Sequence, residues 1–467
     1  MLNEFLFLMR SELLITLLIF LLLFIKLGKG ISNLTVLKLV YFFLIINTVI
    51  PFFGVQEGRL FADMFISTPM IFFQKALLSG GTLLIALLNY DWLKKHVHLS
   101  EFFVLILSAL LGMYLMISSG NLLIFYLSLE LATIPVAALA NFDLDNNRSS
   151  EAATKMILSS AFSSGVLLFG ISLLYGAAGT IQFAELPGQL QNGDALVLTG
   201  FILFFTGVAF KLSVVPFHLW TADVYEGSPV AVTSFLSVVS KGSIAFIFIT
   251  ILYKVFQPLG TVTYQLLVIL SVATLMIGNL FALRQNNLKR FLAFSSIAQV
   301  GFILVGISGG TLSSAVSVVY FVLIYIFSNL AAFGVISLVT EATGRETIDS
   351  YKGLYKNNKL LSWVMAIALF SLAGIPPTAG FFGKLFLIMS GAATAEIWFI
   401  VLVSMNLVVS LFYYLKVVRA IFTDNTDNQM EKVKLNSVPK WTLLFCTVAI
   451  IGIGFAGWIY EYILSLQ

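Results

Sequence analysis

Cysteine and charge are what this sequence has least of. A single cysteine, Cys446, in 467 residues rules out an internal disulfide. Alone it holds neither a structural zinc nor an iron–sulfur cluster, which need several thiolates or imidazoles. Any redox centre therefore belongs to other chains. Charged residues make up 10% of the sequence against 59% hydrophobic ones, whereas soluble domains carry roughly 25% charged residues, which argues against a soluble fold. No strand-turn-helix segment with a glycine-rich fingerprint is present, so no dinucleotide is bound here. The stretch from Gly374 to Lys384 has the wrong glycine spacing for a phosphate-binding loop, and Leu385 follows the lysine, which rejects a nucleotide site. The net charge of +4 has a membrane explanation and gives no reason to expect nucleic acid as a partner.

What is there instead is a succession of apolar runs. Counting those long enough to cross about 30 Å of hydrocarbon predicts an all-α integral membrane protein with fourteen transmembrane helices. They centre near residues 19, 46, 79, 109, 131, 164, 206, 243, 272, 298, 327, 375, 409 and 452. The first, Leu13 to Ile25, has no small-residue cleavage site behind it and is read as a span rather than a signal peptide. With the amino terminus outside, the odd-numbered connections hold eighteen of the twenty-six Lys and Arg residues, among them Lys26, Lys29, Lys94 and Lys95. That bias predicts both termini on the far, periplasmic side.

Five lysines fall within the predicted spans: Lys75, Lys155, Lys211, Lys241 and Lys384. Each costs roughly 2.5–3.5 kcal/mol at a helix centre on insertion scales. Lys75 lies near the start of its span, where its stem reaches the interface by snorkelling. The other four ask for a function. Two spans are interrupted by proline: the seventh at Pro216, followed by His218, Trp220, Asp223 and Glu226, and the twelfth at Pro376-Pro377. Proline removes a donor and clashes with the preceding turn, so both helices break. The breaks occupy the fourth position of spans 4–8 and of spans 9–13, which predicts two five-helix repeats, the second inverted because five is odd, with the ion site at the breaks.

Glu130 sits mid-span with no charged neighbour on its own helix and needs a partner from another. A carboxylate and a lysine buried together each stabilise the other's charged form, and lysine, unlike arginine, gives up its proton when its surroundings change. These residues predict a relay from Lys155 or Glu130 to Lys211, Lys241 and Lys384, with water and His218, an imidazole able to give or take a proton, filling gaps. The competing reading is a set of static ion pairs fixing helix register, and for His218 a hydrogen bond to a carbonyl freed by the break. The methionines and phenylalanines spread through the spans are packing or lipid-facing residues, and the connection from Glu341 to Lys359 is a solvated loop.

Three segments carry a resemblance. Phe210 to Pro229 (FKLSVVPFHLWTADVYEGSP), Ser150 to Lys155 (SEAATK) leading to Leu173-Leu174-Tyr175-Gly176, and Leu372 to Lys384 (LAGIPPTAGFFGK) resemble the broken seventh, the sixth and the twelfth spans of the antiporter-like membrane subunits of respiratory complex I, in particular its subunit N branch. The resemblance covers nearly the whole chain. It implies a bacterial inner-membrane subunit that couples NADH-to-quinone electron transfer to proton movement, with Glu130, Lys155, Lys211, Lys241 and Lys384 as proton-transfer residues. It also implies no cofactor on this chain, with FMN, iron–sulfur clusters, NADH and quinone in partner subunits, and contacts to antiporter-like subunit M, small membrane subunits and lipid. The organisation expected is three helices over 1–100, repeats over 101–257 and 258–422, and a loop with a final helix over 423–467. Lys384 in place of glutamate, and the expectation of no long lateral helix, favour the N branch over M and L. A multisubunit sodium/proton antiporter subunit and an inactive scaffold are the alternatives. One departure stands out. Gln299 occupies a place where the family often has histidine, and Phe294 or Phe302 a place where it often has tyrosine. A glutamine amide does not take up and release a proton in turn, so a relay there relies on water or on Lys289 and Arg290.

Overall fold

The computed structural model describes residues 2–28, 31–54, 56–191, 193–393, 395–423 and 430–467; Lys29 and part of the loop before the last helix lie outside them. Those residues form an all-helical bundle. Its principal helices are α1 Arg10–Leu27, α2 Asn33–Val49, α3 Pro69–Leu88, α4 Leu99–Ile117, α5 Leu122–Ala140, α6 Asn147–Ala178, α7 Ala195–Leu212 and α8 Leu219–Gly227. The second half continues with α9 Val230–Lys254, α10 Gly260–Arg284, α11 Leu288–Ser308, α12 Leu312–Thr343, α13 Lys359–Ala373, α14 Ala379–Ala392, α15 Ile397–Phe422 and α16 Ser437–Phe455. Among the described residues, twelve helices are long and apolar enough to cross a membrane. The first predicted span coincides with α1, which carries Arg10, Glu12 and Lys26. The twelfth coincides with the shorter pair α13 and α14.

Boundaries moved where caps outrank hydropathy. α2 starts early because Ser32 accepts from the Thr35 amide at 3.3 Å, an N-cap, although Asn33, Thr35 and Lys38 dilute the apolar signal there. The final apolar run is shared between α16 and a short helix, Trp458–Leu464, which displaces its centre. A two-stranded hairpin, Gly58–Leu60 with Phe65–Ser67, is not visible as a sequence pattern.

Burial sets the layout. The whole apolar window of α11 is buried, and 89% of those of α9 and α12, against 33% for α2 and α15; the outer helices present their apolar faces outward, as lipid-facing helices do. α11 packs against α8, α10, α12 and α14, so it is the shaft of the bundle. Local features recur along the chain in one order. Asn121 caps α5 and bridges to Gln182, and Asn287 caps α11 and bridges to Thr347. α6 and α12 are both 32 residues long and end at a left-handed glycine, Gly179 or Gly344. Gly112 on α4 packs against the backbone of Ala132 on α5, and Gly278 on α10 against that of Ala298 on α11.

Lys75 corrects the snorkelling expectation. Its side chain is 0% exposed, with Nζ 2.6 Å from Oε1 of Glu12 in the first turn of α1. Its ammonium also sits 4.9 Å over the Phe65 ring of the hairpin. A buried pair of this kind is a weak source of net stability but is costly to halve.

The glycine contacts give a direct test. A Cβ on Gly112 would lie 2.5 Å from the Ala132 nitrogen and one on Gly278 2.7 Å from that of Ala298, whereas Gly176 has open space. Gly112→Ala and Gly278→Ala are each expected to destabilise by about 1–3 kcal/mol through overpacking, read as a lowered melting temperature in detergent, with Gly176→Ala as the control that does not fall with them.

Candidate functional site

The two broken helices end alike. α7 closes with Ser213 in the left-handed region (φ 65°) and the Val214 amide on the Ala209 carbonyl at 2.9 Å, and α13 with Gly374 (φ 85°) and the Ile375 amide on the Phe370 carbonyl at 3.0 Å. These are Schellman closures, and cis peptides come next in both, at Val215-Pro216 and Pro376-Pro377. Carbonyls just before each break lose their helical partners and are met by side chains. Phe210 O, which keeps the Ser213 amide at 3.0 Å, also accepts from Trp220 Nε1 at 3.1 Å, while Leu372 O accepts from Gln299 Nε2 at 3.0 Å and Ala373 O from Lys384 Nζ at 3.3 Å. Counted from the left-handed residue, Lys211 matches Leu372 and Asp223 matches Lys384, so the two lysines sit on opposite halves of their broken helices.

Lys211 occupies the last turn of α7, buried. Its Nζ donates to Ser160 Oγ of α6 at 2.5 Å and to Thr133 Oγ1 of α5 at 3.2 Å, and lies 3.9 Å from Glu130 Oε1. That same oxygen accepts from Ser164 Oγ at 2.5 Å. The structure thus supplies Glu130 with the partner its own helix lacks. Two unit charges at this distance attract by about 4 kcal/mol at an effective dielectric of 20, no more than the several kcal/mol that desolvation costs each ion. The attraction alone does not repay burial of both ions, and the hydroxyls of Thr133, Ser160 and Ser164 supply further hydrogen bonds to them.

Beside Lys211 is a cavity of about 30 Å³ lined by Thr133, Ser160, Trp220, Ser240 and Ser243 among others. That exceeds the roughly 10–15 Å³ a water needs, and its walls are polar enough to hold one. Ser240 is the last residue of a π turn, Leu236–Ser240, in α9. Such turns insert one residue and re-aim the side chains beyond them, here beginning with Lys241. Its Nζ donates to Ser296 Oγ of α11 at 2.9 Å and lies 5.4 Å over the Tyr225 ring. Lys384 lies 4.6 Å over the Phe302 ring. Among the described residues neither Lys241 nor Lys384 has a carboxylate within 4 Å. Ser296 stands two residues before Ala298, as Glu130 stands two before Ala132, so a hydroxyl occupies in α11 the place of the carboxylate in α5.

His218 is buried at the start of α8, within the field of Lys241, and its ring nitrogens make no well-formed hydrogen bond among the described residues. Lys155 departs from the expectation of an intramembrane lysine. Its side chain is 43% exposed and bridges Glu151 at 2.6 Å and Asp223 at 2.7 Å. At 32 residues and about 1.5 Å each, α6 spans about 48 Å, more than the hydrocarbon requires. Asp223 also binds Arg290, which binds Glu226 as well, at 2.7 and 3.0 Å. Lys289 pairs with Glu346 at 3.2 Å. Both basic residues of the α11 entrance are therefore committed to ion pairs, and neither supplies the link expected of them at Gln299. Sequence reasoning missed the bridging role of Asp223, which counting from the breaks would have flagged, and missed Glu12, Ser296 and the tyrosines around Gln299, for which no local pattern speaks.

The geometry has parallels. A family model described as NADH:quinone oxidoreductase/Mrp antiporter, TM, matches residues 119–410. The NADH-quinone oxidoreductase subunit N of Phocaeicola vulgatus is 46% identical over 411 residues, 87% of this chain and 87% of its own. That of Azobacteroides pseudotrichonymphae is 44% identical over 436 residues, 92% and 91% of the two chains. A chain in a structure of respiratory complex I from Thermus thermophilus with bound aureothin is similar at a TM-score of 0.84 and 25% identity, covering 97% of this chain and 98% of that one.

The charge cluster is expected to behave as one unit. In a double-mutant cycle of Asp223→Asn and Arg290→Met, contacting groups give coupling of about 0.5–3 kcal/mol. With both side chains 32% exposed, the value should fall in the lower half of that range and shrink with salt. Strictly additive losses in thermal stability would show that the two act separately.

Proposed function

We propose, from the premise that this chain belongs to the subunit N branch of the NADH:quinone oxidoreductase/Mrp antiporter family, that Glu130, Lys155, Lys211, Lys241 and Lys384 form its proton relay, with His218 as an additional member. The chain is a proton-translocating membrane-arm subunit of NADH:quinone oxidoreductase, a translocase, and carries no redox site itself. Electron transfer from NADH to quinone, with FMN and iron–sulfur clusters, takes place in partner subunits and drives the electrostatic change that this chain converts into proton movement.

The observation that carries the relay is the setting of Lys211: a carboxylate at 3.9 Å, two hydroxyls, and a water-sized cavity lined in part by Ser240, the residue before Lys241. When Glu130 moves or is neutralised, the ammonium of Lys211 loses its counter-charge. Its proton passes through cavity water to Lys241, and then along α11 to Lys384. Lys155, in contact with water and the Asp223 cluster, is the solvent end of the chain.

The same reading extends to the architecture. Fourteen spans result when α1 and the α13–α14 pair join the twelve apolar helices, and residues 101–257 and 258–422 are the two inverted repeats. The paired asparagine caps, the paired glycine contacts, the two 32-residue helices and the two matching breaks support it. Residues 1–100 and 423–467 are then accessory helices, both termini face the periplasm of a bacterial inner membrane, and the neighbours are subunit M and the small membrane subunits.

The test begins with purification of the tagged chain in mild detergent. Flavin, iron–sulfur absorbance and NADH:quinone reductase activity are expected to come with it, while a cofactor-free assembly that exchanges sodium for protons would move it to the antiporter class. In the assembled complex, Lys211→Ala should abolish its share of proton pumping, and Glu130→Gln with Lys211→Met should pump no worse than either single change. Independent, multiplying losses would sink the pairing of Glu130 with Lys211.

A further inference from the structure

Between Lys241 and Lys384 the chain has no histidine, since Gln299 fills the place where one is expected, and yet this is the most deeply buried part of the molecule. The side chains that face the gap are hydroxyls. Ser295, Ser296 and Gln299 of α11 are all buried, Ser296 against Lys241 of α9 and Ser295 and Gln299 against Tyr414 of α15. Tyr414 of α15, 0% exposed, accepts from Gln299 Nε2 at 3.0 Å and is hydrogen-bonded to Ser295 Oγ. Tyr325 of α12 is bonded to Ser237 Oγ at 3.1 Å, and its hydroxyl and that of Tyr225 lie against Ser296. Tyr413, the neighbour of Tyr414, donates to Asn279 Oδ1 at 3.0 Å and also lies against the Tyr414 hydroxyl.

We infer that Tyr414 is the exchangeable group that replaces the absent histidine, passing protons between the Lys241 and Lys384 halves through its hydroxyl while Gln299 holds it in place. The inference rests on the relay reading above. A phenol hydroxyl has one donor hydrogen and acceptor lone pairs, so it takes a proton on oxygen as it releases its own, and no phenolate forms. The Gln299 amide occupies one lone pair and is anchored in turn to the freed carbonyl of Leu372, which leaves the hydroxyl hydrogen of Tyr414 shared with Ser295. The balance is simple. The ammonium of Lys241 loses one proton to Ser296, hydroxyls and intervening water each accept one and release one, and the amine of Lys384 becomes an ammonium. The last hop needs a water, since Lys384 is bonded to the carbonyl of Ala373, next to the residue that Gln299 holds.

Tyrosine at 414 could instead serve packing alone, and the experiment separates the two. In vesicles carrying the assembled complex, NADH oxidation and dye-reported proton uptake are measured together. Tyr414→Phe keeps the ring and removes the hydroxyl. It is expected to leave the complex assembled and lower proton uptake per NADH by the same share as Lys211→Ala, and adding Gln299→His is expected to restore uptake, since an imidazole gives and takes protons where an amide does not. Full uptake in Tyr414→Phe overturns the inference, and so does a loss that Gln299→His fails to rescue in an assembled complex. If Tyr414→Phe does not assemble, Ser295→Ala, which removes the hydroxyl's sharing partner and leaves the tyrosine, should show the same loss, and full uptake there overturns it equally. Undiminished uptake in Lys384→Ala would instead strike at the relay reading, whatever Tyr414 does.

Discussion

A helix broken inside hydrocarbon exposes carbonyls that only protein groups or enclosed water satisfy, and most of this structure depends on how the two breaks are met. After α13, the freed carbonyls of Leu372 and Ala373 are taken by Gln299 and Lys384; after α7, the Phe210 carbonyl accepts from Trp220 as well as from the Ser213 amide. Satisfying them requires polar side chains deep in the bundle, and those side chains require an enclosing layer. That is why α11, the helix that reaches toward the second break, is buried along its whole apolar window. Lys384 thereby both closes a backbone deficit and serves as a member of the proposed relay.

The two halves share a frame but not an electrostatic design. In the first, Lys211 has a carboxylate near it. In the second, the place of Glu130 is taken by Ser296, and Lys241 and Lys384 are stabilised by a hydroxyl, ring faces and a carbonyl. A charge in the first half can be traded between two titrating groups. On the proposed relay, a charge in the second half passes along hydroxyls that do not keep it. At the solvent end, Asp223 joins Lys155 of the first half to Arg290 of the second, so movement at either is felt by the other through a short ionic link.

Much of this was legible in the sequence because hydrocarbon is an uncompromising solvent. A lysine or glutamate in an apolar run is an anomaly by itself, and Glu130, Lys211, Lys241 and Lys384 were selected without knowledge of any neighbour. Proline announces a broken helix as locally as it acts. Lys155 and Lys75 misled for the same reason in opposite directions. Position along an apolar run does not tell whether a lysine ends up exposed among carboxylates, as Lys155 does, or buried against a carboxylate of another helix, as Lys75 is against Glu12.

The sequence by itself determined the class of protein, the apolar helices, the sites of the breaks and the identity of the charged residues, since each depends on the transfer energy of single side chains or on local backbone geometry. Only the tertiary structure decided which hydroxyls hold Lys211, that a π turn re-aims Lys241, that Ser296 stands for a carboxylate, and that Tyr414 meets Gln299 across 115 positions of chain. These are contacts between helices, set by how glycine contacts such as Gly278 on Ala298 let two backbones approach, and no local pattern encodes which face of one helix will meet which face of another.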